Sequence, residues 1–366
     1  MFNALNFLYT HRNKIMTAAT VIGSAFAIKQ NLDAQRANSE RHHRAYFPTV
    51  DLKTEIFNKS RKFGMNDILI DKLMEAIEKE LEIESIIDRA RSDKELSGQD
   101  KVKLLKDLAI AILTFIFAEV FTVSIVTLYR NVQLSMVAGQ IYKNSNIESL
   151  GNRAKENLWN SMDYKQRKFI QQIQQFQYSS IVQEIKKLLT ENIDNFKIFE
   201  SITLRALILQ MENFMDSIEN NLIESLIDDT FQRTFSQSLN DRPSSSFILS
   251  DMVNRKFKKI IMEDQFRTNL KTNLKTALSL HLDWIGSVVE KNNENSKSPN
   301  LNEQPLKIFE LLPKLWEHLN RETWIIETCK YSSREHLNEM IALLFHSQDS
   351  TIYARQVFNS FCQSAI

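Results

Sequence analysis

The chain has 366 residues, a formal charge of +1 and 43% hydrophobic residues, enough for a large core and too balanced for a protein whose main partner is nucleic acid. Six glycines and five prolines are too few for the turns of an all-β protein or the loops of an α/β enzyme. The two cysteines exclude a disulfide framework and a zinc site of several thiolates.

The first element is an uncharged run, Ile15 to Ile28, between Arg12 and Lys14 on one side and Lys29 on the other. A signal peptide needs small residues behind its apolar run, and Ser24-Ala25-Phe26-Ala27 offers only a loose version. A core helix would carry polar residues at helical spacing, and Thr17, Thr20 and Ser24 form only a weakly polar face. The run is shorter than the ~20 apolar residues of a full span. Flanking lysines can snorkel, however, and Leu5, Phe7, Leu8 and Tyr9 extend its apolar character. Basic residues after the run (Lys29, Arg36, Arg41, Arg44) outnumber those before it, which places the C-terminal body in the cytosol. Residues 1–44 therefore read as an N-terminal membrane anchor and targeting segment, and 45–366 as a cytosolic helical domain.

Beyond Pro48 the apolar residues recur at steps of three and four. Ile70, Leu73, Ile77 and Leu81 form the first such set, with Asn66 and Asp67 as candidate caps. Ser92 to Asp100 reads as a loop. Then comes Leu108 to Leu128, "LAIAILTFIFAEVFTVSIVTL", long enough to cross a bilayer yet carrying Glu119 near its middle. Composition leaves two readings open, a transmembrane span and the central helix of a soluble bundle. "QRKFIQQIQQFQY" (166–178) is rich in glutamine, but Phe169, Ile173 and Phe176 keep helical spacing, so it reads as an amphipathic helix. Further helical sets follow: Ile181, Ile185, Leu188; Leu204, Leu207, Met211, Phe214, Ile218, Leu222; Ile308, Leu311, Leu312, Leu315, Leu319; and Leu337, Ile341, Leu344. "DRPSSS" (241–246) and residues 292–305 read as loops. The predicted class is an all-α bundle of long helices around a central apolar helix.

Motifs for chemistry are missing from this pattern. The six glycines are scattered and make no phosphate loop, and the histidines make no His-x-x-x-His pair. His281 and Asp283 are two apart, so they point to different sides of a helix and read as a solvated surface pair. The expectation is a protein that is not an enzyme and uses no cofactor and no metal. "RKFKKIIMEDQFRTNLKTNLK" (255–275) carries seven basic residues. Its functional reading is contact with an anionic membrane surface or acidic partner, and its plain one a solvated helix face.

One stretch is more specific. "LYRNVQLSMVAGQIY", Leu128 to Tyr142, resembles the segment after the long central helix of the peroxisomal biogenesis factor 3 (peroxin-3) family. Val132-Gln133-Leu134 and Gly139-Gln140-Ile141-Tyr142 stand in the matching places. The opening "MFNALNFLYTHRNK" and "QYSSIVQEIKKLL" (177–189) are similar to the same family; the likeness is good over 1–45 and 100–190 and faint beyond. The resemblance implies a peroxisomal membrane protein with a short N-terminal anchor and an all-α cytosolic domain. It implies a docking receptor for peroxin-19, the chaperone that carries newly made peroxisomal membrane proteins, bound through its N-terminal helix. The implied partners also include peroxisomal membrane lipid and factors of peroxisome inheritance or turnover, and no nucleic acid. Under it, Leu108 to Leu128 is a buried core helix and the docking groove forms around the start of that helix. By position Leu105 and Leu108 supply an apolar floor, Leu104 a neighbour, Lys101 a basic rim, and Ile112 continues the i, i+3, i+4 spacing at which helical clients are gripped. Leu105 stands where vertebrate members carry tryptophan, and Ala109 where they carry lysine, so the groove is expected to be more aliphatic and less basic. The competing reading is another signal-anchored helical scaffold, for example a tether on the mitochondrial outer membrane.

Overall fold

The computed structural model describes residues 52–61, 67–92, 97–144, 164–171, 178–196, 199–236, 247–295, 306–308, 312, 316 and 333–363. The expected anchor, residues 15–28 with Arg12, Lys14 and Lys29, lies outside them. Packing divides the chain into residues 1–55 and 56–366.

The described residues are almost wholly helical. In chain order the helices are α1 (Leu52–Arg61), α2 (Asp67–Leu81), α3 (Ile83–Ser92), α4 (Gly98–Asn144), α5 (Tyr164–Gln171) and α6 (Ser179–Asn192). They continue with α7 (Leu204–Ser236), α8 (Phe247–Ile261), α9 (Asp264–Asn295), α10 (Ser333–His346) and α11 (Gln348–Gln363). A 3-10 turn, Ile193–Phe196, follows α6. A two-residue antiparallel pair, Ser201–Ile202 (β1) with Leu306–Lys307 (β2), ties two connections together. Several helix starts follow from single hydroxyls. Ser97 accepts from the Asp100 amide at 3.2 Å, Thr203 from Ala206 at 3.2 Å and Ser347 from Ser350 at 3.2 Å, each filling an otherwise orphaned donor. The Ser97 cap places Gly98 to Asp100 inside α4, where the composition suggests a loop. Glu82, at φ 51°, breaks the chain between α2 and α3 by taking the left-handed conformation.

Helix α4 organises everything else. Its 47 residues run about 70 Å, and every residue from Leu108 to Gly139 is buried. A helix apolar on all sides has no face to offer water, so it is satisfied only when surrounded. Helices α11, α6 and α9 make its largest packing interfaces, and α2, α3, α5, α8 and α10 also touch it. By length and composition Gly98–Lys143 is able to cross a membrane, yet its apolar window is wholly buried within the protein. The central-helix reading of Leu108 to Leu128 is the one observed. Thr114 and Ser124 are buried there without penalty, because each hydroxyl donates to the carbonyl four residues back, at 2.6 Å and 2.7 Å.

The distinctive Leu128 to Tyr142 stretch has a packing explanation. The last carbonyls of a helix lack intrahelical partners. Arg130 Nη1 donates to the Ile170 carbonyl at 2.9 Å and Gln133 Nε2 to the Phe169 carbonyl at 2.9 Å, so α4 receives the end of α5. The Phe345 carbonyl, at the end of α10, accepts from Arg61 and, at 3.5 Å, from Asn131 Nδ2. Arg61 also donates to Asn131 Oδ1 and, at 3.1 Å, to Thr351 Oγ1, with its guanidinium 4.3 Å from the Phe345 ring centre. Burial lowers its pKa to about 10. Gly139 has the closest approach: a Cβ there would lie 2.6 Å from Phe361 Cβ and 2.9 Å from the Phe358 carbonyl oxygen, because α11 lies directly on it.

Elsewhere the helical spacing matches burial. Leu204, Leu207, Met211, Phe214, Ile218 and Leu222 are all buried along α7, as are Leu337, Ile341 and Leu344 on α10. Phe169 is buried, whereas Ile173 and Phe176 lie outside the described residues. Helix α9 continues to Asn295, past the expected loop start at 292. The basic stretch 255–275 is divided between α8 and α9 at Met262–Glu263. Several of its cations are engaged: Lys256 lies 5.4 Å from the Phe361 ring centre, Lys271 donates to Asn220, and Lys275 pairs with Asp216 at 3.1 Å.

Candidate docking surface

The expected groove residues part company in the structure. Leu104, Leu108 and Ile112 stand four apart, so they share one face of α4, and that face points inward. They are 7%, 3% and 0% exposed. Leu108 is therefore core rather than groove floor, and Leu104 and Ile112 are core with it. The cause is the surroundings, since α4 is packed on by helices along its length and this face is turned into the core. Lys101 is exposed and Leu105 half-buried, so these two do reach the surface. They lie one turn apart on the same face, joined by Val102, which is 44% exposed. Sequence reasoning passed over Val102, although its i, i+3 spacing to Leu105 marks it as part of that face.

Around this short apolar strip the first turns of α4 carry both signs of charge, with Asp100 and Asp107 exposed as well as Lys101. Lys103 is exposed, and Lys106, half-buried, makes a 2.6 Å ion pair with Asp194 of the 3-10 turn. The pair bridges the base of the strip to the 3-10 turn after α6, and Lys101 and Lys103 face solvent.

A second set of functional groups lies deep in the bundle. Glu119 of α4 and His281 of α9 are 4% and 1% exposed, with Glu119 Oε2 3.5 Å from His281 Nε2. His336 of α10 stacks flat on Trp284, centroids 4.7 Å apart and planes 6° apart, and lies 5.5 Å from the His281 ring. His281 is thus core, not the surface group its spacing to Asp283 suggested; Asp283 alone is exposed. Burial pushes the Glu119 carboxyl up to about 8. Burial, with His336 adding to it, pulls His281 down to about 3, and burial pulls His336 down to about 4. At neutral pH the three groups are uncharged. Glu119 Oε2, both His281 nitrogens, Trp284 Nε1 and His336 Nε2 have no hydrogen-bond partner among the described residues. Among the described residues no group of three His, Cys, Asp or Glu side chains is placed to hold a metal ion.

Comparison of the sequence with protein-family models and with curated protein sequences returns no match.

Proposed function

We propose that the chain is a membrane-anchored docking receptor of the peroxin-3 kind, held in the peroxisomal membrane by residues 15–28, with its helical domain in the cytosol. Its client is the N-terminal helix of peroxin-19, and its work is the insertion of peroxisomal membrane proteins. The observation that supports the reading is the start of α4: a capped helix whose exposed first turns place Val102 and Leu105 among Lys101 and Lys103. The docking strip is narrower than the resemblance implied, and two of its residues carry the apolar contact.

Full burial of a Val or Leu side chain contributes about 1.5–3 kcal/mol, and both side chains here are already partly covered. Val102→Ser with Leu105→Ser should therefore cost about 1–3 kcal/mol of binding, roughly a tenfold to hundredfold loss of affinity. Lys101→Glu should act mainly on the association rate, with an effect that shrinks as salt rises. Leu108→Ser should instead lower the melting temperature, since it removes a core side chain. Titration of the full chain in detergent with the N-terminal helix of peroxin-19 measures all three. Affinity unchanged by the Val102 and Leu105 changes would leave the docking surface elsewhere.

The anchor has its own test. The full chain should resist alkaline carbonate extraction, and deletion of residues 1–44 should release it. A deleted chain that stays in the membrane pellet would refute the anchor. Imaging a tagged full chain against peroxisomal and mitochondrial markers separates this reading from a mitochondrial tether.

A further inference from the structure

The cluster of Glu119, His281 and His336 joins three helices: α4 at the centre, α9 beside it, and α10, the first arm of the C-terminal hairpin α10–α11. Little else charged among the described residues faces it. On α9 Asp283 is exposed, and on α10 Glu339 is exposed. From α7, Asp216 and Glu219 are taken by Lys275, nearly two turns before His281. On α6, Glu184 pairs with Lys187, and on α3, Glu84 accepts from Trp316 Nε1 at 2.8 Å. On α11, Asp349 is exposed and Arg355 lies over Phe57; Lys256 of α8 lies over Phe361. On α1, Arg61 is held by Asn131, about three turns along α4 from Glu119. Among the described contacts Glu119 meets His281 at 3.5 Å, and the rings of His281 and His336 are 5.5 Å apart. With the carboxyl protonated the cluster is uncharged, so a proton added to either ring has no counter-charge; His336 is the ring carried by α10.

We propose that Glu119, His281 and His336 form a proton-controlled latch that holds α10 against the central helix and loosens on acidification. The inference does not depend on the docking reading. Above the ordinary histidine pKa the latch is closed and neutral. Both histidines have folded pKa values below the unfolded one, so the stability they contribute is present above about pH 6.5 and is lost as pH falls. Glu119 has its folded pKa raised to about 8, so its contribution is present at low pH and is lost as pH rises from about 4.5 towards 8. Two histidines outweigh one carboxyl between about pH 6.5 and 4.5, and the net effect there is opening by about tenfold per pH unit.

Hydrogen exchange of the full chain in detergent, corrected for the intrinsic pH dependence, reads this directly. Between about pH 7 and pH 5 the opening constant of α10 amides should rise about tenfold relative to those of α6. Glu119→Gln removes the opposing limb, so the same pH step should open α10 by roughly several hundredfold. His281→Phe with His336→Phe keeps rings in place but cannot titrate, and acid should then protect α10 rather than open it. If α10 opening in the unaltered chain does not change with pH, or rises equally in the double phenylalanine variant, the latch is refuted. Should the double variant fail to fold, a Glu119→Gln chain with no steeper response than the unaltered one refutes it on its own.

Discussion

Glu119→Lys is expected to destabilise the protein by about 3 kcal/mol or more, while Glu119→Gln costs little. The carboxyl is 4% exposed and has no cationic side chain beside it among the described residues; its neighbour is His281, neutral at physiological pH. Burial already keeps the acid protonated up to about pH 8, and glutamine copies that neutral, donor-bearing shape. Lysine instead places an ammonium where no anion among the described residues can meet it, against two imidazoles that would have to stay neutral. Urea unfolding of the full chain and both variants at pH 7 measures the difference. Equal and negligible shifts would mean that Glu119 faces water, which would also undo the central burial of α4.

Gly139→Ala is expected to cost about 2 kcal/mol, against the ordinary trend for a helix interior. Alanine normally gains about 1 kcal/mol over glycine there. Here the added methyl would meet Phe361 Cβ at 2.6 Å and the Phe358 carbonyl at 2.9 Å. Neither atom is the free end of a side chain, so α11 as a whole must move off α4, and overpacking of this kind costs about 1–3 kcal/mol or more. Gly98→Ala is the control, because a methyl added there would have nothing within 4 Å. The same unfolding measurement decides it. A Gly139→Ala chain as stable as the Gly98→Ala chain would mean that α11 does not lie directly on α4.

The distinctive stretch Leu128 to Tyr142 has a physical reading in these terms. Arg130, Asn131 and Gln133 receive the carbonyl ends of α5 and α10, and Gly139 admits α11. It marks how this bundle is put together, and no reacting group is needed to account for it. A motif of this kind carries information about fold and none about chemistry.

Helical class was legible because the 3.6-residue period is a local property: Leu204, Leu207, Met211, Phe214, Ile218 and Leu222 repeat at that step whatever they pack against, and all are buried. The length and apolarity of the Leu108 to Leu128 run were equally plain, as was the oddity of Glu119 within it. What surrounds the run was not, because lipid and a protein core ask the same of a helix that is apolar on every side. Only the packing of α6, α9 and α11 around α4 decided it. The same limit separated Leu104 and Leu108 from Val102 and Leu105: all four are aliphatic, and which pair meets solvent depends on how the other helices pack on α4, not on their own spacing. Glu119, His281 and His336 belong to helices far apart in the chain, with no local pattern linking them. Their meeting is a consequence of tertiary packing alone, since burial and proximity, which set their protonation, are properties of the assembled bundle.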